Sequence, residues 1–239
     1  LWGIAAQLYG LRSRRNWGVG DFTDLGKFCA AAAKLGAAVV GLNPLHALFP
    51  GRPERFSPFA PSSRLFRNAL YIDVEAVGDF AGCGEARAIV EAEEFQSALA
   101  DMRETVLVDY PGVAARKMPV LELLYAAFRN AHIDAKSGLG RTARGRAFRR
   151  YQSDGGAALD RQTIFEALAE HVGSASGGGQ NSPDYHWRAW PEPLRHPESP
   201  AVAKFARRAR ERIEFFQYLQ WQADLQLRKV VARCRRLGM

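Results

Sequence analysis

Apolar residues recur along this chain with two periods, and the changes of period mark out its elements. Ile4-Ala5-Ala6-Gln7-Leu8-Tyr9 reads as a first strand. Phe22, Leu25, Cys29, Ala32 and Leu35 then recur at helical spacing. Asp21 is placed to cap that helix, Asp24 to complement its dipole, and Gly36 to stop it. Ala38-Val39-Val40-Gly41-Leu42 is a short apolar run, predicted as a buried second strand. Strand, loop, helix, strand is a βα unit, so the two strands should be parallel and adjacent. Their C-terminal ends then open on one face, which sets the Tyr9–Gly20 loop beside the segment after Leu42.

That segment is a long loop from Leu42 to Asp73 with five prolines, Pro44, Pro50, Pro53, Pro58 and Pro61. Each proline fixes φ and removes a backbone donor, so the loop is pre-shaped. Phe49, Phe56, Phe59 and Phe66 argue against disorder, and a loop of this length in a compact domain is a functional candidate. Leu70-Tyr71-Ile72-Asp73-Val74 ends it as a third strand-like run. Strand patterning then stops. Gly84 to Met102 reads as helix, and Pro119 is placed to start another with Val120, Leu121, Leu124, Tyr125 and Phe128 inward. Arg141 to Tyr151 and Ala158 to His171 read as two more. Residues 173–183 form a Gly-rich connector, and an aromatic, proline-bounded loop comes after it at Asp184–Pro193. Phe205, Ala209, Ile213, Phe216, Gln220, Ala223, Leu227, Val230, Cys234 and Leu237 fit one helical stripe, apolar except at Gln220.

The 239 residues can bury a sizeable core, and 47% hydrophobic with 24% charged residues is an ordinary globular composition. No run approaches a membrane span and no signal peptide is visible, so the expected setting is cytoplasmic with no membrane partner. The formal net charge is +8. The excess arginines lie on Arg141–Arg150 and Arg207–Arg212, which read as solvated helix faces, and no aromatic-studded basic motif points to nucleic acid. Cys29, Cys83 and Cys234 are odd in number and lack a C-x-x-C pair, so reduced buried thiols are expected. Gly18-Val19-Gly20 lacks the third glycine of a dinucleotide site, and the five histidines show no metal-ligand spacing.

Several motifs, in order, resemble the 4-α-glucanotransferases, also called amylomaltases or disproportionating enzymes (glycoside hydrolase family 77). They are Trp2–Tyr9, Asn16–Phe22, Asn43–Pro50, Ser57–Arg64, Asn68–Asp73, Val108–Val113, Trp190–Leu194 and Phe216–Trp221. The family has tyrosine where this chain has Phe59, so a hydroxyl is lost while a stacking ring remains. The resemblance implies the N-terminal portion of such an enzyme and an α/β fold, a partial (β/α)8 TIM barrel with a large all-helical insertion. In that frame residues 1–77 supply the first βα units and the substrate-side loop, residues 78–200 the insertion, and residues 201–239 a long helix returning to the barrel.

The implied reaction is retaining transfer of α-1,4-glucan segments between maltooligosaccharides, with neither metal nor organic cofactor. Retention needs two carboxylates about 5–5.5 Å apart. The family's Arg-Ile-Asp-His type motif does not occur here, and Asp73, Glu75 and Asp109 read as structural. No catalytic residue is therefore expected within this chain. Ser57 and Phe59 are the candidate sugar contacts, a hydroxyl and a stacking ring, with Asn43 and His46 just beyond the second strand. Arg64 and Asn68 read as ties within the loop, and Trp17 as a cover or a packing plug. Two readings from other classes stand beside this one: a non-catalytic glucan-binding or assembly module, and a basic helical scaffold for an anionic partner. An incomplete barrel exposes sheet edges and apolar faces, so self-association is expected.

Overall fold

A computed structural model describes residues 1–175 and 186–239; most of the Gly-rich connector and the start of the aromatic loop lie outside the described residues. Strands β1 (Gly3–Ala6) and β2 (Val39–Leu42) pair in parallel, Gly3 opposite Val39 and Ala6 opposite Leu42. Helix α1 (Phe22–Lys34) connects them. The Asp21 side chain accepts from the Asp24 backbone N–H, and Asp24 reaches back to the Asp21 N–H. This reciprocal cap satisfies two orphan donors of the first turn. Gly36 closes the unit with φ +87°, a left-handed conformation that glycine adopts without strain.

Three expectations change here. The first strand ends at Ala6, and Leu8–Gly10 winds into a 3-10 turn. Leu35 lies past the last helical turn and is exposed. The second strand is not buried: Val40 and Leu42 pack toward the core, while Val39 faces solvent and is 59% exposed. A two-stranded sheet covered on one face alternates inward and outward; only strands covered on both faces read as continuously apolar.

The proline-rich loop contains a small antiparallel ladder, β3 (His46–Ala47) with β4 (Ser63–Arg67). The predicted third strand at Leu70–Val74 is absent, replaced by a 3-10 turn at Ala69–Tyr71. Helices α2 (Gly84–Glu91) and α3 (Glu93–Glu104) are separated by Ala92, whose ψ of 138° breaks the expected single helix. Helix α4 (Tyr110–His132) begins at the Asp109 cap with Pro111 in its first turn, so Pro119 sits inside it. A proline inside a helix costs about 3 kcal/mol. Burial of Val120, Leu121, Leu124 and Phe128 on the same turns offsets that cost. The basic and the apolar helices predicted for 141–171 are both present and run end to end as α5 (Ala143–Ala175), separated by a kink at Gly156, whose φ of +49° and ψ of −145° are not helical.

Helices α6 (Pro200–Arg208) and α7 (Arg210–Arg236) are separated at Ala209. The predicted stripe is too narrow for α7. Every residue from Ile213 to Ala223 is buried, whereas Leu237 is exposed. A helix enclosed on all sides is a core element. Helices α5 and α1 make its main contacts, and Phe128, Phe148, Tyr218 and Trp221 form an aromatic cluster between α4, α5 and α7. Buried Asp79 joins this cluster, accepting from Tyr218 Oη (2.6 Å) and Arg144 Nε (3.2 Å). The three cysteines are free, and burial beside Cys234 pushes the Cys29 thiol up to about 12. Among the described residues no helix is long and apolar enough to cross a membrane.

Candidate functional site

Backbone groups at the end of β4 and along the run predicted as a third strand are satisfied by side chains. Gln220 on α7 accepts from the Arg67 N–H (2.9 Å) and donates to the Arg67 carbonyl (2.8 Å). Two turns further, Gln226 does the same to Asp73, accepting at 2.9 Å and donating at 2.8 Å. Each primary amide imitates a neighbouring strand, offering one donor and one acceptor. Between them Lys117 of α4 donates to the carbonyls of Leu70 (2.7 Å) and Ile72 (2.8 Å). Side chains from α4 and α7 therefore hold the segment from the end of β4 through the 3-10 turn to Asp73.

Lys117 is fully buried, and burial lowers its pKa to about 8 against the opposing pull of Asp21 and Asp73. Around it Arg15 pairs with Asp21, with Asp73 (2.8 Å) and with Asp24 (3.4 Å). Burial pushes Asp21 up, Lys117 opposing. Asn16 donates to Asp24 (2.9 Å), and Arg103 donates to the Asn16 carbonyl (2.7 Å). Trp17 is a packing plug: it is buried, meets Phe95 edge-on and donates to Glu75 (3.0 Å). Asp73, Glu75 and Asp109 are thus engaged in an ion pair, an indole hydrogen bond and a helix cap.

On this floor the two loops meet at the C-terminal ends of β1 and β2. Asn43 accepts from the Leu8 N–H (2.8 Å) and donates to the Pro44 carbonyl (2.9 Å) and to Tyr71 Oη (3.3 Å). Through its amide Asn43 joins the two loops. His46 stands at the base of the hairpin, opposite Arg67 and half-buried. Phe56 stacks flat on buried Tyr110, with centroids 4.8 Å apart and planes 3° apart. Tyr110 also lies near Tyr9, Tyr71 and Arg12, and burial raises its pKa. Through Phe56 the loop tip is laid against the Tyr9–Arg12 side.

Ser57 and Phe59 stand at that tip. Ser57 is exposed, its carbonyl accepting from the Ala60 N–H in a turn (3.1 Å). Phe59 is 78% exposed. Asn68 does tie the loop, capping the 3-10 turn by accepting from the Leu70 N–H (3.0 Å), whereas Arg64 is exposed. Beneath the hairpin base a cavity of about 30 Å³ is bordered by Leu48, Phe49, Pro50 and buried Glu166. Burial raises the Glu166 pKa to about 8, with Gln162 donating to it at 3.0 Å. Lys117, Glu166, Gln220 and Gln226 escape a reading of the sequence, because a polar residue on a helix looks solvated until its distant partner is known. Among the described residues no three His, Cys, Asp or Glu side chains cluster to hold a metal.

A proline-braced aromatic rim thus lies beyond two parallel strands, with helices behind it. The chain superposes on the crystal structure of amylomaltase from Corynebacterium glutamicum with a TM-score of 0.71 and 28% identity, covering 99% of this chain and 29% of that one. It superposes on amylomaltase from Streptococcus agalactiae, solved in complex with acarbose, with a TM-score of 0.68 and 17% identity; 99% of this chain and 41% of that one are covered, a likeness of fold. The model of the 4-alpha-glucanotransferase family matches residues 6–239, and the chain belongs to that family. It is 33% identical to the 4-alpha-glucanotransferase of Haemophilus influenzae and 35% identical to that of Mycobacterium tuberculosis H37Rv, each over 245 aligned residues and all of this chain. It spans about a third of the length of these curated relatives, 33% and 30%.

Proposed function

We propose that this chain supplies the first βα units and the substrate-side rim of a 4-α-glucanotransferase, within a partial (β/α)8 barrel whose helical insertion occupies residues 78–200. The family match across residues 6–239 carries this reading. The whole enzyme transfers segments of α-1,4-glucan between maltooligosaccharides by a retaining double displacement in the cytoplasm. Its paired carboxylates belong to segments outside residues 1–239. The unpaired thiols support a reducing compartment.

Within this chain, Phe59 offers a ring face to the C–H face of a glucose unit and Ser57 a hydroxyl to its edge. His46 borders the same rim, and Asn43 acts through position alone. Exposure of Phe59 on a loop otherwise fixed by proline and by Phe56–Tyr110 stacking supports this assignment. Exposed Ile4 and Val39 on the small sheet support self-association of the chain. Titration of maltoheptaose by calorimetry tests the rim: Phe59→Ala should weaken binding about tenfold, the scale of one lost stacking contact. Equal affinities would remove Phe59 from the site. Maltotriose disproportionation by the 239-residue chain should be undetectable, and measurable turnover would place the carboxylates within it.

A further inference from the structure

Away from the rim, the C-terminal end of α4, the α4–α5 loop and the α6–α7 junction enclose a pocket of about 510 Å³. That volume suits a small organic ligand. Six cations line it, Arg129, Lys136, Arg141, Arg149, Arg208 and Arg210, against three carboxylates, Asp134, Glu211 and Glu214. Each carboxylate faces a cation or its own loop, and the Glu214 Oε1 makes no hydrogen bond. Glu211 pairs with Arg129, and Glu214 with Arg149 (3.1 Å). Asp134 is turned into its own loop, accepting from the Ser137 N–H and hydroxyl (2.7 Å each) and the Lys136 N–H (3.2 Å). Arg141 is fixed by donating to the carbonyls of Asn130 and Ala131 at the end of α4.

Lys136, Arg208 and Arg210 remain. Among the described residues they have no carboxylate partner. They come from two separate segments that are held close. Gly138, at φ +69°, lets the loop pass so near that a Cβ there would lie 3.6 Å from the Arg210 guanidinium. Like charges lining one pocket repel one another, and repulsion of this kind is relieved by a bound anion. Guanidinium forks match phosphoryl oxygens in geometry as well as charge.

We propose that this pocket binds a phosphorylated small molecule, its phosphoryl group held by Arg208, Arg210 and Lys136. The site is separate from the glucan rim and stands whether or not the rim reading does. Calorimetric titration of the 239-residue chain with inorganic pyrophosphate at low ionic strength tests it. Binding should be single-site and at least tenfold weaker in Arg208→Glu/Arg210→Glu. The control Arg235→Glu/Arg236→Glu, with the same charge change on the exposed last turn of α7, should bind as the wild type does. Equal weakening by both pairs would reduce the effect to overall basicity and overturn the proposal, as would chloride binding as tightly as pyrophosphate. Should the α6–α7 variant melt early, Lys136→Glu in the loop gives the same readout, and unchanged affinity there overturns the proposal too. Parallel titrations with inorganic phosphate, a hexose monophosphate and ADP identify the remainder of the ligand by the tightest of the three. Maltose competing with pyrophosphate would assign the pocket to neutral sugar instead.

Discussion

The segment from Leu42 to Asp73 has a stem and a tip, and they are held in opposite ways. The stem, Arg67–Asp73, is fixed by two glutamine amides from α7 and a buried lysine from α4. The tip, Phe56–Ala60, is held by proline, one short turn and one ring stack, and leaves Ser57 and Phe59 free. A rigid stem lets a tip present side chains without folding them inward, as binding loops on scaffolds do. The difference is energetic. Loss of a stem contact strands buried polar groups, whereas loss of a tip side chain strands nothing.

The largest expected effect is at Lys117. Lys117→Met leaves the Leu70 and Ile72 carbonyls unpaired and Asp21 and Asp73 with Arg15 alone. We expect a loss of about 3–5 kcal/mol in chemical denaturation. A loss below 1 kcal/mol would mean that the stem does not depend on this cation. Gln226→Leu strands the Asp73 N–H and carbonyl and should cost about 2–3 kcal/mol. A Gln226→Glu variant, which keeps the acceptor and loses the donor, should fall between that variant and the wild type.

Glu166, beneath the hairpin base, sharpens the comparison through pH. Its pKa rises from an ordinary 4.5 to about 8, because burial disfavours the charge. Between those values the native chain keeps a proton that the unfolded chain has released. Its stabilising contribution is therefore full below the unfolded value and is lost as pH rises toward 8. Glu166→Gln should match the wild type near pH 4 and exceed it by about 1–2 kcal/mol at pH 8. Parallel pH profiles for the two proteins would show that Glu166 is charged in the native state. The smallest effect belongs to the tip: Phe59→Ala should change stability by less than about 0.5 kcal/mol. A larger loss would make Phe59 a packing residue and erase the contrast.

Much of the frame is legible in the sequence. The Asp21/Asp24 cap, the Gly36 stop and the parallel pairing of β1 with β2 come from local spacing and from one crossover. The tip's aromatic and proline character is visible as well. The stem is not. Leu70–Val74 has the alternation of a strand, but the Leu70 and Ile72 carbonyls go to Lys117 and the Asp73 N–H and carbonyl to Gln226, which lies 153 residues away. Gln220 looks like a flaw in an apolar stripe because periodicity records polarity and not partners. Nothing in the neighbourhood of Asn43 announces that Leu8 and Tyr71 use its amide. Pro119 reads as a beginning because local preference favours it there, and tertiary burial overrides that preference.

Enclosure of α7 from Ile213 to Ala223 has a consequence for the order in which the molecule comes apart. Helices α1, α4, α5 and α6 all pack on it, so none of them leaves the bundle without separating from it. In deuterated solvent the amides of Phe215–Gln222 should therefore exchange last, at the rate of global opening. Those of Val39–Leu42, at the thin edge of the molecule, should exchange early through local fraying.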